Sequence, residues 1–192
     1  MTWVPEDRAP RHYRGPKTAV RKGLVVVYTG DGKGKTTAAL GLTFRALGRG
    51  WRVAIVQFIK GRWKTGEAAM AKELAGRVDL FTMGDGFTWV TQSYAQDVAS
   101  ARRAWAKCEE LLADERYQVV IFDELCYVLK YNFLSVDEVI EALKRKPAGT
   151  HVVLTGRDAP AELIEAADLV TEMREVKHPY QAGIKAQPGI DY

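Results

Sequence analysis

A glycine-rich run between a strand-like and a helix-like segment leaves few folds open to this chain. The run, residues 29–37, reads TGDGKGKTT; apolar residues 24–28 precede it and a helical pattern over 36–47 follows it. Glycines let backbone N–H groups turn inward around phosphate oxygens, and a helix N-terminus adds partial positive charge. In this context Lys35 is predicted to contact phosphate and Thr36 to bind Mg²⁺. The run therefore predicts the phosphate-binding loop of a P-loop fold.

The glycine spacing of this loop departs from the common pattern. The usual first glycine lies six residues before the lysine, where this chain has Thr29, and its first glycine is Gly30. We therefore expect phosphates to bind in a shifted register. A glycine-rich turn that binds nothing is the alternative, and the GKGKTT run argues against it. The predicted ATP-binding residues of the loop are Gly30, Asp31, Gly32, Lys33, Gly34, Lys35, Thr36 and Thr37.

Apolar runs and helical patterns alternate along the rest of the chain. The predicted strands span 24–28, 52–59, 77–82, 117–123, 151–155 and 168–173. The predicted helices span 36–47, 67–75, 93–114, 135–145 and 160–166, the fourth with Ser135 as N-cap and Glu138 as its capping-box partner. Continuous apolar strands separated by helices are typical of an α/β fold with a mostly parallel central sheet. With the loop, they predict a P-loop NTPase-like domain with helices on both faces of the sheet.

Length and charge predict one domain with a basic extension. A chain of 192 residues fits one domain, which we place at residues 23–192. Residues 1–22 carry six basic and two acidic side chains, whereas the rest of the chain carries 22 of each sign. The excess positive charge thus lies in an arm that is predicted to be flexible. A neutral domain argues against nucleic acid as a partner, because nucleic-acid-binding domains present a basic face.

Neither membrane insertion nor export is predicted. No apolar run approaches the roughly 18–20 residues of a membrane span, and residues 1–15 lack the apolar core of a signal peptide. The two cysteines, Cys108 and Cys126, match no metal-ligand spacing. We therefore expect a reduced, cytoplasmic protein without a membrane partner.

Two carboxylates follow a buried-looking strand downstream of the loop. Residues 119–124, VVIFDE, end in Asp123 and Glu124. In P-loop proteins such a strand end binds Mg²⁺ directly or through water. An ordinary helix N-cap is the alternative, and the spacing leaves open which carboxylate contacts the metal. Loop and carboxylates together predict Mg–ATP or Mg–GTP as ligand, and their charges suit loss of a whole triphosphate as well as phosphoryl transfer.

Further candidates lie at strand ends and in two segments predicted to be long loops. Residues 83–92 and 174–192 are polar or aromatic and contain several glycines, and long loops are often functional. The weaker candidate ligand residues are Gln57, Lys60, Trp63, Glu67, Arg157, Lys177, His178 and Lys185. Of these, Arg157 follows a strand and is predicted to cover a triphosphate. A solvated surface position is the alternative for Lys60, Arg157 and His178.

Six segments occur in an order that is typical of one enzyme family. They are TGDGKGKTTAALG, VQFIKGRWKTGE, GFTW, VIFDELCYVLKYNFL, VVLTGRDAP and VKHPYQAGIKAQPGIDY, between residues 24 and 192. Together they resemble the ATP:corrinoid adenosyltransferases of the P-loop type, which make adenosylcobalamin. The resemblance implies that cobalt(I) of a reduced corrinoid, cob(I)alamin, attacks C5′ of ATP and that inorganic triphosphate leaves. It also implies a homodimer, Mg²⁺, ATP in a reversed orientation, and a reduced flavin or flavodoxin as electron donor.

The resemblance also implies roles for individual residues. Lys35, Thr36 and Glu124 are the implied catalytic residues, with Lys35 on phosphate and the other two on the metal. Phe87 and Trp89 are implied to wall the lower face of the corrin. Two other functions stay open: a different P-loop NTPase or small kinase, and a nucleotide-gated module that presents Phe87 and Trp89 to a partner protein. The phosphate product, and ATP consumption with a reduced corrinoid, distinguish these functions.

Overall fold

Six parallel strands form one sheet in the described part of the chain. The computed structural model describes residues 21–61, 65–84 and 93–191. The strands are β1 (Val25–Thr29), β2 (Val53–Gln57), β3 (Val78–Thr82), β4 (Val119–Asp123), β5 (His151–Thr155) and β6 (Leu169–Glu172). Their spatial order is β3-β2-β4-β5-β1-β6, and every neighbouring pair is parallel. The predicted fold class is confirmed, with all six strands parallel.

Helices connect these strands. They are α1 (Lys35–Gly48), α2 (Gly66–Glu73), α3 (Tyr94–Ala113), α4 (Leu125–Lys130), α5 (Val136–Arg145) and α6 (Ala161–Ala166). A 3₁₀ helix, Pro179–Ala182, lies in the C-terminal segment that the sequence predicted as a loop. The predicted elements are present with bounds shifted by no more than two residues. The sequence did not predict α4, because its six residues directly follow the β4 carboxylates and show no separate pattern.

Alternate residues of β1, β2, β4 and β5 face two separate cores. Val27 and Phe122 belong to one core, which includes Trp105 of α3. Val26 belongs to the other core, which includes Ala39 of α1. This alternation follows from the two-residue period of a strand. Helices therefore cover both faces of the sheet, as the continuous apolar strands predicted.

The predicted capping box of α5 is wrong. Ser135 does occupy the N-cap position, but its side chain makes no capping hydrogen bond. Glu138 instead accepts hydrogen bonds from Nη1 of Arg102 on α3, at 2.5 and 2.8 Å. A charge-assisted bond of this kind is stronger than one between a carboxylate and a neutral amide. Glu138 therefore pairs with Arg102 on α3 instead of accepting a hydrogen bond at the start of its own helix.

The chain enters the sheet at the edge that carries the amino ends of the strands. The N–H of Gly23 donates to the Ala148 carbonyl at 2.6 Å, and Lys146 Nζ donates to the Gly23 carbonyl at 2.7 Å. Lys22 forms an ion pair with Asp168. Most of the predicted arm, residues 1–22, lies outside the described residues, so its flexibility stays a prediction.

The sequence also predicted that the chain has no membrane span and that its cysteines are reduced. No helix in residues 21–61, 65–84 and 93–191 is long and apolar enough to cross a membrane. Cys108 and Cys126 are both buried and carry free thiols. Burial raises the pKa of the Cys126 thiol to about 12, so this thiol stays protonated and unreactive at neutral pH.

Candidate active site

The predicted site residues meet at the edge where the strands end. The order β4-β5-β1 makes these three strands neighbours, so the segments that follow them lie side by side. The phosphate-binding loop follows β1, Glu124 follows β4, and Arg157 follows β5. Open parallel sheets bind ligands at this edge.

The phosphate-binding loop turns from β1 into α1 with Lys35 folded over it. Gly30 and Gly34 have φ values of 93° and 112°, in the left-handed region that favours glycine. The Lys35 ammonium donates to the carbonyl oxygens of Gly30 at 2.6 Å and Gly32 at 2.7 Å. Burial, and then the positive charge of Arg157, lower the pKa of Lys35. This cation therefore lies at the loop, in surroundings that favour an anionic ligand.

The loop is also packed against the chain that follows β6. The Gly32 N–H donates to the Met173 carbonyl at 2.7 Å, and the Met173 N–H donates to the Thr29 carbonyl at 2.7 Å. A Cβ at Gly30 would lie 2.5 Å from the Met173 oxygen, and one at Gly32 would lie 2.7 Å from the Arg174 carbonyl carbon. Both glycines are thus required by the protein's own backbone as well as by any phosphate. The sequence did not predict this second reason, because the contact joins residues far apart in the chain.

Alanine at Gly32 is expected to lower the free energy of unfolding by about 1–3 kcal/mol, because the new Cβ forces this close contact apart. Gly41 is the matched control, since it lies within α1 with nothing within 4 Å of a built Cβ. There, alanine is expected to raise the free energy of unfolding by about 0.5–1 kcal/mol through helix propensity. Urea unfolding of both variants measures the difference. Equal stabilities would contradict the proposed close packing at the loop.

Asp123 is the buried centre of the site. Its side chain is 1% exposed. Its Oδ1 accepts hydrogen bonds from the hydroxyls of Thr36 and Thr155, both at 2.8 Å. Its Oδ2 lies 3.4 Å from Gln57 Nε2 and 3.6 Å from Lys60 Nζ. Two hydroxyls, an amide and an ammonium therefore compensate this carboxylate, as a buried charge requires.

Glu124 lies next to Asp123 in an unusual backbone conformation. Its φ is 66°, and its N–H donates to the Thr155 hydroxyl at 2.9 Å. Burial, and then the negative charge of Asp123, raise the pKa of Glu124 to about 7. A nearby cation would favour the charged form of this carboxylate.

Lys60 and Glu67 extend the network beside Asp123. Lys60 Nζ donates to Glu67 Oε1 at 2.7 Å, and Gln57 Nε2 lies 3.4 Å from the same oxygen. Burial lowers the pKa of Lys60, but Asp123 and Glu67 outweigh it, so the pKa is raised. Burial raises the pKa of Glu67, but the hydrogen bond from Lys60 outweighs it, so the pKa is lowered. Three of the weaker candidates from the sequence thus join the predicted site.

The donor set suits Mg²⁺. Thr36, Asp123 and Glu124 offer a hydroxyl and two carboxylates, and Mg²⁺ prefers oxygen ligands. Within the described ranges, no group of three or more His, Cys, Asp and Glu side chains could hold a metal ion alone. Mg²⁺ is commonly bound by one or two carboxylates together with substrate phosphates and water. The residues present therefore fit a metal that arrives with a nucleotide.

The remaining predicted residues are less closely connected to the site. Arg157 is exposed but close enough to lower the pKa of Lys35. Lys33 is half exposed and forms an ion pair with Asp191 near the end of the chain. His178 Nδ1 accepts the N–H of Tyr180 at 3.1 Å and so caps the 3₁₀ helix. Asp31, Thr37, Lys177 and Lys185 are exposed.

Two predictions lie outside the described residues, and one site residue was not predicted. Trp63 and the corrin-wall residues Phe87 and Trp89 fall in 62–64 and 85–92, outside the described ranges. Thr155 was not predicted, although its hydroxyl contacts both Asp123 and Glu124. A polar residue that ends an otherwise apolar strand, VVLT, is the signal that could have found it.

Comparison with known families and proteins identifies the kind of enzyme that has this site. The sequence model of the family described as ATP:corrinoid adenosyltransferase BtuR/CobO/CobP matches residues 21–192. The chain belongs to this family. The match includes the phosphate-binding loop, both β4 carboxylates and the C-terminal segment. The resemblance stated from the sequence is thereby confirmed.

Similar proteins support the family assignment over most of the chain. A corrinoid adenosyltransferase of Sinorhizobium sp. is 51% identical over 173 residues, which cover 89% of this chain and 81% of that protein. Corrinoid adenosyltransferases of Pseudomonas aeruginosa and Escherichia coli K12 are 47% and 44% identical over 171 residues; these cover 89% of this chain and 84% and 86% of those proteins.

A solved structure supports the fold of this adenosyltransferase family member. The crystal structure of flagellar accessory protein FlaH from Methanocaldococcus jannaschii matches with a TM-score of 0.53 and 13% sequence identity. The match covers 81% of this chain and 73% of FlaH. At this identity the likeness concerns the fold alone.

Proposed function

We propose that this chain transfers the 5′-deoxyadenosyl group of ATP to the cobalt of a reduced corrinoid, cob(I)alamin. The products are adenosylcobalamin and inorganic triphosphate. The observation that carries the proposal is the family match over residues 21–192, which includes the whole described site. As a member of this family the chain is a transferase that uses ATP and a corrinoid as substrates.

The proposed transfer needs cationic groups for the leaving triphosphate but no catalytic base, and the site offers groups of that kind. A cobalt–carbon bond forms at C5′, the C5′–oxygen bond breaks, and triphosphate leaves with the electron pair. Cobalt(I) carries no proton that a base must remove, so the protein contributes positioning and charge on the leaving group. We assign Lys35 and Arg157 to the triphosphate. Lys35 lies in the loop after β1, and Arg157 follows the neighbouring strand β5 and is close enough to act on Lys35. The loop residues 30–37 are assigned to ATP.

We assign the metal to Thr36 and Glu124, with Asp123 beside them. When bound, Mg²⁺ would neutralise charge that develops on the triphosphate oxygens. Asp123 holds the Thr36 hydroxyl through a 2.8 Å hydrogen bond, which leaves the lone pairs of that oxygen available to a cation. In this assignment Asp123 orients the Thr36 hydroxyl, and Glu124 binds the metal.

The electron donor, the oligomeric state and the cellular location are further parts of the proposal. We propose a homodimer in the cytoplasm that receives electrons from a reduced flavin or flavodoxin. The homodimer is tested by light scattering of the purified protein, and a monomer at assay concentration would contradict it. Adenosylation that starts from cobalt(II) with reduced flavodoxin, compared with reduced flavin alone, tests the donor.

The corrinoid is proposed to lie against residues 83–92, with Phe87 and Trp89 at its lower face. A lower axial ligand makes cobalt(II) hard to reduce, and an apolar wall that excludes this ligand makes reduction easier. Replacing Trp89 by alanine is therefore expected to lower turnover that starts from cobalt(II) about tenfold or more, and turnover that starts from prepared cobalt(I) much less. Trp89→Phe, which keeps an aromatic wall, is the matched control. Equal losses in the two assays would rule out the lower-face role.

The proposed reaction is tested under anaerobic conditions. The protein is mixed with Mg–ATP and chemically reduced cob(I)alamin, the corrinoid spectrum is followed, and the phosphate product is identified. Adenosylcobalamin with one triphosphate per corrinoid is the expected result. Phosphate or diphosphate without alkylation would indicate an NTPase or kinase. ATP that binds but is not consumed would indicate a nucleotide-gated binding module.

A further inference from the structure

Thr155 joins the two carboxylates at the end of β4. It is the last residue of β5, the strand that lies between β4 and β1, and it is 0% exposed. Its hydroxyl donates to Asp123 Oδ1 at 2.8 Å and accepts the N–H of Glu124 at 2.9 Å. One buried oxygen therefore fixes the side chain of one carboxylate and the backbone of the other.

The backbone of Glu124 needs such a partner. A φ of 66° is in the left-handed region, which is unfavourable for a residue with a side chain. Residues keep a conformation of this kind only where their surroundings hold it. The hydrogen bond from the Glu124 N–H to the Thr155 hydroxyl ties this residue to the neighbouring strand β5.

The turn that follows β5 is closely packed against the segment that follows β4. Gly156 has a φ of 141°, and a Cβ there would lie 2.7 Å from the Cβ of Cys126 on α4. The turn after Thr155 is thus packed directly against the helix that follows Glu124. This packing holds the Thr155 hydroxyl at its two partners.

Thr155 also acts on Thr36 through a shared acceptor. The hydroxyls of Thr36 and Thr155 both donate to Oδ1 of Asp123, each at 2.8 Å. Because Thr155 holds that oxygen from the β5 side, the Asp123 side chain stays turned toward the start of α1. The orientation of the Thr36 hydroxyl depends on this.

We propose that Thr155 is a positioning residue of the nucleotide–cation site: its hydroxyl sets Thr36, through Asp123, and Glu124, through its N–H, in the arrangement that binds Mg²⁺ with ATP. The proposal rests on the proposed function for the identity of the ligand. Thr155 itself contacts neither ATP nor the cation in this assignment. Replacing a group that orients a metal ligand without touching the metal commonly lowers metal affinity about 10–100-fold.

The test measures ATP binding as a function of Mg²⁺ concentration, by calorimetry and without corrinoid. Thr155→Val keeps the shape of the side chain and removes the hydroxyl, and it is expected to raise the half-saturating Mg²⁺ concentration about 10–100-fold. Thr155→Ser restores the hydroxyl and is expected to stay within about threefold of the wild type. Thr150→Val is the matched control, because Thr150 is also buried, at 4% exposed, but lies just before the opposite end of β5. Its Mg²⁺ response should equal that of the wild type.

The outcomes separate this proposal from the proposed function. A folded Thr155→Val variant with a wild-type Mg²⁺ response would overturn the positioning role, and so would wild-type ATP binding that is independent of Mg²⁺. If Thr155→Val does not fold, Thr155→Ala takes its place in the same titration, with the same expected rise. Mg²⁺-dependent ATP binding without adenosyl transfer would contradict the proposed function alone.

Discussion

Replacing Lys35 by alanine is expected to lower kcat/KM for adenosyl transfer by at least about 100-fold while the protein stays folded. The Lys35 ammonium lies at the loop, 2.6 Å from the Gly30 carbonyl oxygen and 2.7 Å from that of Gly32. Loss of one charged group that stabilises a leaving anion commonly costs about 10²–10³ in rate. Folding should be spared, because burial lowers the pKa of Lys35 and so already disfavours its charged form.

Lys144→Ala is the matched control for loss of one lysine. Lys144 lies on α5, away from the loop, and its exposed ammonium pairs with Glu141 at 2.8 Å. Exposed ion pairs contribute little, so a loss of less than about tenfold in kcat/KM is expected. The measurements are steady-state adenosylation with prepared cob(I)alamin and thermal unfolding of each variant. Retained activity in a folded Lys35→Ala variant would remove this lysine from the mechanism.

Local patterns account for how much of the fold could be predicted. The strands β1, β2, β4 and β5 are short, mostly apolar runs, and α1 and α3 are long enough to show a helical pattern. The short helix α4 has no such length, and its start is set by Glu124, whose φ of 66° depends on a neighbouring strand. The capping box failed for a similar reason, since Arg102 on another helix took Glu138 as its partner.

The same difference between local patterns and distant contacts decides which site residues could be predicted. Lys35 and Thr36 lie in one contiguous motif, and Asp123 ends a strand, so the sequence predicts their proximity. Thr155 bonds Asp123 across 32 residues of sequence, and Met173 bonds Gly32 across the whole domain. A single sequence does not show which distant strand ends become neighbours. The strand order β4-β5-β1-β6 provides that information: it places Thr155, at the end of β5, beside Asp123, and Met173, after β6, beside the phosphate-binding loop.

The two adjacent carboxylates, Asp123 and Glu124, repel each other at the candidate site. Asp123 is compensated by three hydrogen-bond donors and the Lys60 ammonium, whereas Glu124 lies beside it with a pKa raised to about 7. Two adjacent carboxylates at a buried edge cost stability in the absence of a cation. A cation that arrives with the nucleotide would relieve that cost, which supports the proposal that this site binds Mg²⁺ together with ATP.

Replacing Glu124 by glutamine is therefore expected to stabilise the protein without metal and to impair the enzyme. Burial and Asp123 raise the pKa of Glu124 from its ordinary value of 4.5 to about 7, so the folded state holds this proton more tightly than the unfolded state. Wild-type stability should then fall as pH rises from 4.5 to 7 and reach a plateau above that range. Glutamine removes this titration and should raise the free energy of unfolding at pH 8 by about 1–3 kcal/mol.

The measurement is urea unfolding at pH 5 and pH 8, with EDTA and without nucleotide. The two proteins should differ little at pH 5, where Glu124 is largely protonated, and most at pH 8. Glu165→Gln, at an exposed position of α6, is the control for loss of one negative charge. In the same Glu124 variant, Mg²⁺-dependent adenosylation should fall about 100-fold or more, because the carboxylate that we propose as a metal ligand is lost. If the variant is less stable than the wild type at pH 8, then ionised Glu124 stabilises the metal-free fold. That result would contradict the expected destabilisation by its burial and by the charge of Asp123.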